Sequence, residues 1–407
     1  NNVLNNGVMQ ERFHRDPLVK SCELLLHEKF PERLPTITAE EATYQGLEGA
    51  GVEEEESVVQ ILKTPHTIIP KTHILSNGYL TSVIDNAGSG YLLFEKELML
   101  TRWREDPIIN RHGIYIYIRD LDTGESWSAG FQPTSRTSAS YEVVFAPDKA
   151  EIKRRDYDIF SYLEIVVSPE ENVEIRKLTL ANIGSRRRRL EVTSYGEVCL
   201  SSHKADLAHP AFQKIFIKSE YIEDLETLLF MRRPRSVHEH PLMLFHQVAM
   251  KRVWARTSFE SSKVDFIGRN RSAHNPISLD RSLKENQGVV LDPIFSLRVR
   301  VDLEEGESES VNFITGVAGS KEEVVRVAQK YRDVYQIHRA FEMSWSQSSV
   351  ELRNERISAR QAQSYQKLAN CLIFNSEKAR ISSDILSKNR LTQSALWRVW
   401  LVTLLCR

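Results

Sequence analysis

SNGYLTSVIDNAGSGYLLFEKELMLTRWRED, residues 76 to 106, is the stretch whose reading decides the fold. It holds a turn signal at Asn77-Gly78, a glycine-flexed corner at Gly88 and Gly90, and the aromatic pair Tyr91 and Phe94, all in one strand-rich run. It closes on a polar-aromatic cluster, Thr101-Arg-Trp-Arg-Glu-Asp106. A planar indole can stack on the apolar face of a sugar ring while Arg and Asp bond hydroxyls in defined directions. Trp103, Arg104 and Asp106 are therefore candidate substrate contacts, and Trp127 on a later strand joins them. The competing reading makes Trp103 a core aromatic and Arg104 with Asp106 a structural ion pair.

Outward from this stretch, strand signals run from Ile61 to about Val317. Ile114, Ile116 and Ile118 alternate with Tyr115 and Tyr117, Asp120 to Gly124 forms a turn, and Ser126-Trp-Ser128 begins a return strand, which predicts a hairpin. The clearest period of two is Leu297, Val299, Val301 and Leu303 against Arg298, Arg300 and Asp302, reversed at Glu304-Glu-Gly306. Many short strands with frequent turns and no intervening helical pattern predict a mainly β chain, a large antiparallel sandwich. After Gly319 the period changes. Ser320 with Glu323 reads as a capping box before Val324, Val327, Ala328 and Tyr331, and Ser358 with Gln361 opens a helix whose apolar face is Ala362, Tyr365, Leu368, Ala369 and Leu372. Upstream, Asp16-Pro17 predicts a short amphipathic helix, and residues 31 to 58 read as a polar, acidic linker.

Composition narrows the function classes. The 407 residues are 41% hydrophobic, enough to bury a core without disulfide help, and 54 Lys plus Arg nearly cancel 55 Asp plus Glu. No global field draws the chain to nucleic acid or to an acidic membrane, so partners must be recognised locally. Cys22, Cys199, Cys371 and Cys406 lack ligand-like spacing and read as free thiols in a reducing, cytoplasmic compartment. His238-Glu-His240 with His246 offers imidazoles, but no HExxH accompanies them, and no metal or other cofactor is expected. Arg186 to Arg189 follow a turn and enter a strand, which predicts a solvated hairpin edge rather than a phosphate-binding patch. There is no GxSxG elbow and no phosphate loop, and carboxylate spacing alone selects no general acid.

Several motifs in order carry a resemblance. They include Arg12-Phe-His-Arg-Asp-Pro17, Leu75-Ser-Asn-Gly78, Asn86-Ala-Gly-Ser-Gly-Tyr91, Thr101-Arg-Trp-Arg-Glu-Asp106, Thr193-Ser-Tyr195 with Glu197, His209-Pro-Ala-Phe212, Leu291-Asp-Pro-Ile-Phe-Ser-Leu297 and Ser394-Ala-Leu-Trp397. Together they resemble the C-terminal, phosphorylase-like part of cyclic β-1,2-glucan synthases, related to cellobiose and chitobiose phosphorylases. The resemblance implies a β-supersandwich, linker helices and the first helices of an incomplete (α/α)6 barrel. In its terms, residues 1–59 are the helix and acidic linker, 60–319 the supersandwich, 320–356 the helical linker and 357–407 the start of the barrel.

The implied chemistry is inverting phosphorolysis or its reverse: inorganic phosphate, a co-substrate, attacks the anomeric carbon while a barrel carboxylic acid protonates the leaving oxygen. Arg398 matches a family arginine that holds the sugar at the cleaved bond, whereas Leu404 stands where the family has Asp. This abrupt departure motivates the expectation that the tail from Val399 is a frameshift or truncation before the catalytic barrel, so that the chain alone is inactive. An intact reading frame with no barrel sequence downstream in another frame would count against it. The expected partners are a β-glucan oligosaccharide, the barrel domain of the parent enzyme and a second copy of the chain. The alternative expectation is a stand-alone carbohydrate-binding or dimer-forming scaffold module.

Overall fold

Alternating apolar and polar residues build two antiparallel sheets whose inner faces meet in one core. The computed structural model describes residues 59–374 except 107, 109–111 and 235–241. The helix expected after Asp16-Pro17, the acidic linker, His238, His240, Arg398 and the tail lie outside the described residues.

The ten-stranded sheet runs, edge to edge, Gln60–Leu62, Ser140–Phe145, Ala150–Asp156, Ile159–Val167, Val173–Asn182, Ser308–Ala318, Met243–Met250, Thr227–Arg232, Ile217–Ile222 and Gly288–Val289. The nine-stranded sheet runs Ser258–Ser262, Pro293–Leu303, Arg188–Ser202, Leu98–Thr101, Gly90–Phe94, Leu80–Asp85 and Thr72–Ser76, with Tyr115–Asp120 paired to Arg188–Ser202 and Ser126–Ser128 paired in turn to Tyr115–Asp120. Leu92, Ile116, Val192 and Leu297 from one sheet pack with Ile165, Leu178 and Phe230 from the other. Each such burial contributes about 1.5–3 kcal/mol relative to exposure. The architecture is the expected mainly β sandwich, and the hairpin predicted at 114–128 forms with Ile118 opposite Trp127.

Three features of this frame position the site. Gly88 adopts φ +89, and a Cβ there would stand 2.8 Å from the Gly130 Cα, so this corner of residues 76–106 requires glycine. The Asp85 carboxylate accepts from the Ala87 and Ser89 amides, both at 2.9 Å, and holds the turn. The 15-residue strand Arg188–Ser202 is the spine of its sheet: residues 188–197 pair with Pro293–Leu303, and beyond Val198 the register against Leu98–Thr101 shifts. Leu200 sits at φ 48 within that irregularity, a β-bulge that re-aims the strand end.

The alternation at 297–303 holds for the apolar residues, but Arg298 and Asp302 are buried as well. Arg298 donates to the Thr193 hydroxyl (2.9 Å) and the Arg281 carbonyl (2.9 Å), which satisfies its buried N–H groups. Arg188 likewise departs from the solvated edge expected of Arg186 to Arg189: it is buried and bonds Asp120 and Asp158, each at 2.8 Å, whereas Arg187 and Arg189 form surface pairs. His246 lies in the core, between the Ser194 and Thr315 hydroxyls and stacked 4.2 Å from Phe295. Burial and the nearby Arg176 lower its pKa to about 3, so it is a neutral structural imidazole. Cys199 is a buried free thiol, pushed by burial up to about 11, and Cys371 is free and exposed.

The helices behave in two ways. In Lys321–Arg332 the Ser320 hydroxyl accepts from the Glu323 amide, Val324, Val327 and Tyr331 cluster with Val166, Ile175 and Phe245 on the outer face of the ten-stranded sheet, and Ala328 is buried as well. Val334–Asn354 follows, with Ile337 and Ala340 buried. Ala359–Ile373 has the full capping box at Ser358 and Gln361, yet its expected apolar face does not dock, and Tyr365, Leu368 and Leu372 are exposed. Its amide face docks instead. Gln366 accepts from the Ile74 N–H (3.0 Å) and donates to the Ile74 carbonyl (2.9 Å), while Asn370 Oδ1 accepts from the Thr72 amide (2.7 Å) and hydroxyl (2.8 Å). Thr72–Ser76 is an edge strand with unpaired peptide groups, and two amides four residues apart satisfy them as a neighbouring strand would.

Candidate functional site

The cluster singled out at 101–106 sits where Leu98–Thr101 ends beside the bulge. Arg102 is buried and bridges two acids: Nη1 lies 3.2 Å from Glu197 Oε2, and Nη2 lies 3.1 Å from Asp206 Oδ1. Asp206 comes from the short helix His203–Ala208, whose N-cap Ser202 accepts from the Ala205 amide. Arg104 also binds Asp206, through its carboxylate and its backbone carbonyl. Burial works to raise the Asp206 pKa, but hydrogen bonds and charge from Arg102 and Arg104 prevail and hold it below the ordinary range.

Each candidate residue now has a place. Trp103 is half-buried, 4.7 Å from Tyr91 and 6.0 Å edge-on to Phe374. Arg104 is committed to Asp206 rather than to Asp106, whose Oδ1 accepts from the Ile108 amide (3.0 Å). Trp127 is 1% exposed inside the sandwich and has no face to offer a sugar. The structure brings Trp103, Arg104 and Asp106 to one region and puts Trp127 elsewhere, because Ser126–Ser128 turns its middle residue inward.

A cavity of about 720 Å³ reaches this cluster at Glu197 and is lined by His112, Gln132, Tyr195, Glu197, Arg271 and His274 among others. Glu197 is the only carboxylate among its described lining residues. Its Oε1 lies 2.6 Å from the Lys263 ammonium, accepts from the Tyr195 hydroxyl at 3.1 Å, and stands 3.4 Å from His112 Nδ1 without hydrogen-bond alignment. Burial pushes its pKa up, but His112 and Lys263 outweigh that and hold it far below the usual carboxylate range. Gly196 makes the placement possible: a Cβ there would stand 2.1 Å from Phe295 Cζ, so the strand lies flat on that ring between Tyr195 and Glu197.

Chemically the arrangement offers a fixed anion ringed by donors, suited to hydroxyl groups and unable to lend a proton. No cluster able to hold a metal ion occurs among the described residues, and none of their helices is long and apolar enough to cross a membrane. Sequence reasoning names Glu197 only within the motif Thr193-Ser-Tyr195 with Glu197, gives it no role in a site, and does not single out Lys263, Arg271 or His274. Besides that motif, the signal available is an acid and a glycine inside the apolar run Leu190 to Leu200.

The family model described as "Glycosyl hydrolase 94, supersandwich domain" matches residues 55–334. Cyclic beta-(1,2)-glucan synthase NdvB of Rhizobium meliloti (strain 1021) is 32% identical over 400 residues, 97% of this chain and 14% of that protein. N,N'-diacetylchitobiose phosphorylase of Vibrio proteolyticus is 21% identical over 69% of this chain and 35% of its own length. Solabiose phosphorylase of Paenibacillus borealis is 25% identical over 53% of this chain and 27% of its own length. The chain thus spans between 14% and 35% of these three relatives. With two antiparallel sheets, the linking helices and this match over most of its length, the chain belongs to the glycosyl hydrolase 94 supersandwich domain family.

Proposed function

We propose that this chain is the supersandwich portion of a β-1,2-glucan-processing glycoside phosphorylase or glycosyltransferase, and that it holds glucan without cleaving it. The observation that carries this is Glu197: the only acid among the cavity's described lining residues is pinned as a carboxylate by Lys263, Arg102 and His112. Inverting phosphorolysis needs the opposite, a protonated acid at the leaving oxygen. Under this reading a helical barrel supplies that acid and the site for inorganic phosphate, and no metal or organic cofactor takes part. The exposed Tyr365, Leu368 and Leu372 face supports a docked helical partner, since such a stripe is costly to leave wet. The other expected partners are a β-glucan oligosaccharide and a second copy, with a cytoplasmic location. The stand-alone binding-module reading loses support because Trp127 is enclosed.

Calorimetric titration of linear β-1,2-gluco-oligosaccharides tests the cavity. Arg271→Ala and His274→Ala are expected to weaken binding several-fold, each removing a donor from the lining. Unchanged affinity in both variants, or no binding by the parent chain, would refute it.

A further inference from the structure

The Val334–Asn354 helix buries Ile337, Ala340 and Ser344, and on its neighbouring face Phe341 still packs partly against that core while Trp345 is left exposed. On that face Phe341, Glu342 and Trp345 lean over the outer surface of the ten-stranded sheet and enclose, with Lys149, Glu164 and Lys177, a groove of about 500 Å³. Trp345 is 63% exposed there. The floor is ordered: Glu164 accepts from Lys149 (3.2 Å) and Lys177 (3.0 Å), and the Lys177 ammonium lies 5.5 Å over the Phe341 ring. The Ser344 hydroxyl donates to the Asp148 carbonyl (3.0 Å) and fixes the helix against the groove wall.

We infer that this groove, which shares no lining residue with the Glu197 cavity, is a second glucan-holding site in which a pyranose ring lies on the Trp345 indole and its hydroxyls bridge Glu164 and Lys177. The substrate class rests on the function proposed above; the site rests on its own geometry. Carboxylates and ammonium groups nearly balance in the lining, so the groove selects neither anion nor cation. A hydroxyl both donates and accepts, and pre-paired charges present both partners at fixed positions. An exposed indole supplies the planar apolar face that a sugar ring needs and that a solvated helix does not.

The test titrates linear β-1,2-gluco-oligosaccharides into the 407-residue chain and into Trp345→Phe and Trp345→Ala, with hydrogen exchange followed over Val334–Asn354 and over residues 263–274. The exposed position leaves folding intact, which circular dichroism checks. The expected result is protection of Val334–Asn354 by glucan and affinity about two- to tenfold weaker in Trp345→Ala, with Trp345→Phe in between. Protection confined to residues 263–274, with full affinity in Trp345→Ala, overturns this groove and leaves the Glu197 cavity standing. No binding and no protection anywhere overturns both.

Discussion

Replacing Glu197 by Gln removes one negative charge while preserving shape, and its cost follows from what surrounds it. Arg102, Glu197 and Asp206 are 4%, 2% and 0% exposed, so the pair is enclosed. Breaking an enclosed pair by removing one partner costs about 3–5 kcal/mol, because the other charge is stranded. Here Arg102 keeps Asp206, and Lys263, 30% exposed, can turn to water, so the expected loss is smaller, about 2–3 kcal/mol. Urea unfolding at pH 7 with an unchanged slope against denaturant measures it.

Acid provides the second signature. The carboxyl is held below its ordinary 4.5, so the stabilisation is present above that value and is lost as pH falls through the folded-state value. The parent chain should therefore lose stability below about pH 4.5 with up to about 1.4 kcal/mol per pH unit from this proton, and the variant's curve should converge on it. A loss under about 0.5 kcal/mol at pH 7, or a gap that stays constant from neutral pH into acid, would refute the argument.

Three further outcomes follow from the geometry. Gly196→Ala drives a methyl into the Phe295 ring and should cost about 1–3 kcal/mol, read as a lowered Tm; an unchanged Tm would mean the strand can move off the ring. Gln366→Ala with Asn370→Ala strips four hydrogen bonds from the Thr72–Ser76 edge, about 1 kcal/mol each, and should speed hydrogen exchange there, whereas Leu368→Ser on the 61% exposed face should leave stability within about 0.5 kcal/mol. Trp127→Ala should cost about 3–5 kcal/mol by cavity formation, and in the fraction that remains folded should leave glucan affinity unchanged, as calorimetry would show.

The sandwich was legible because its signals are local. Asn77-Gly78, the corner at Gly88, and the alternation at 297–303 each encode a turn or a face within a few residues, and the sheets follow from them. The site was less so. Glu197 gains its character from Arg102, His112 and Lys263, which converge only when the long strand, the bulge at Leu200 and a distant loop fold together. Trp127 misleads for the same reason, since an indole on a three-residue strand reads alike whether it faces core or solvent. The Ala359–Ile373 helix misleads differently: its periodicity marks the apolar stripe, yet the edge of Thr72–Ser76 presents peptide groups, and those select Gln366 and Asn370.

The account turns on a carboxylate that is held ionised near neutral pH and so has no proton to give a leaving oxygen. Incubating the chain with linear β-1,2-glucan and inorganic phosphate, and assaying glucose 1-phosphate, tests that most directly. The prediction is no release above a phosphate-free control while glucan still binds; steady release that Glu197→Gln abolishes would contradict it.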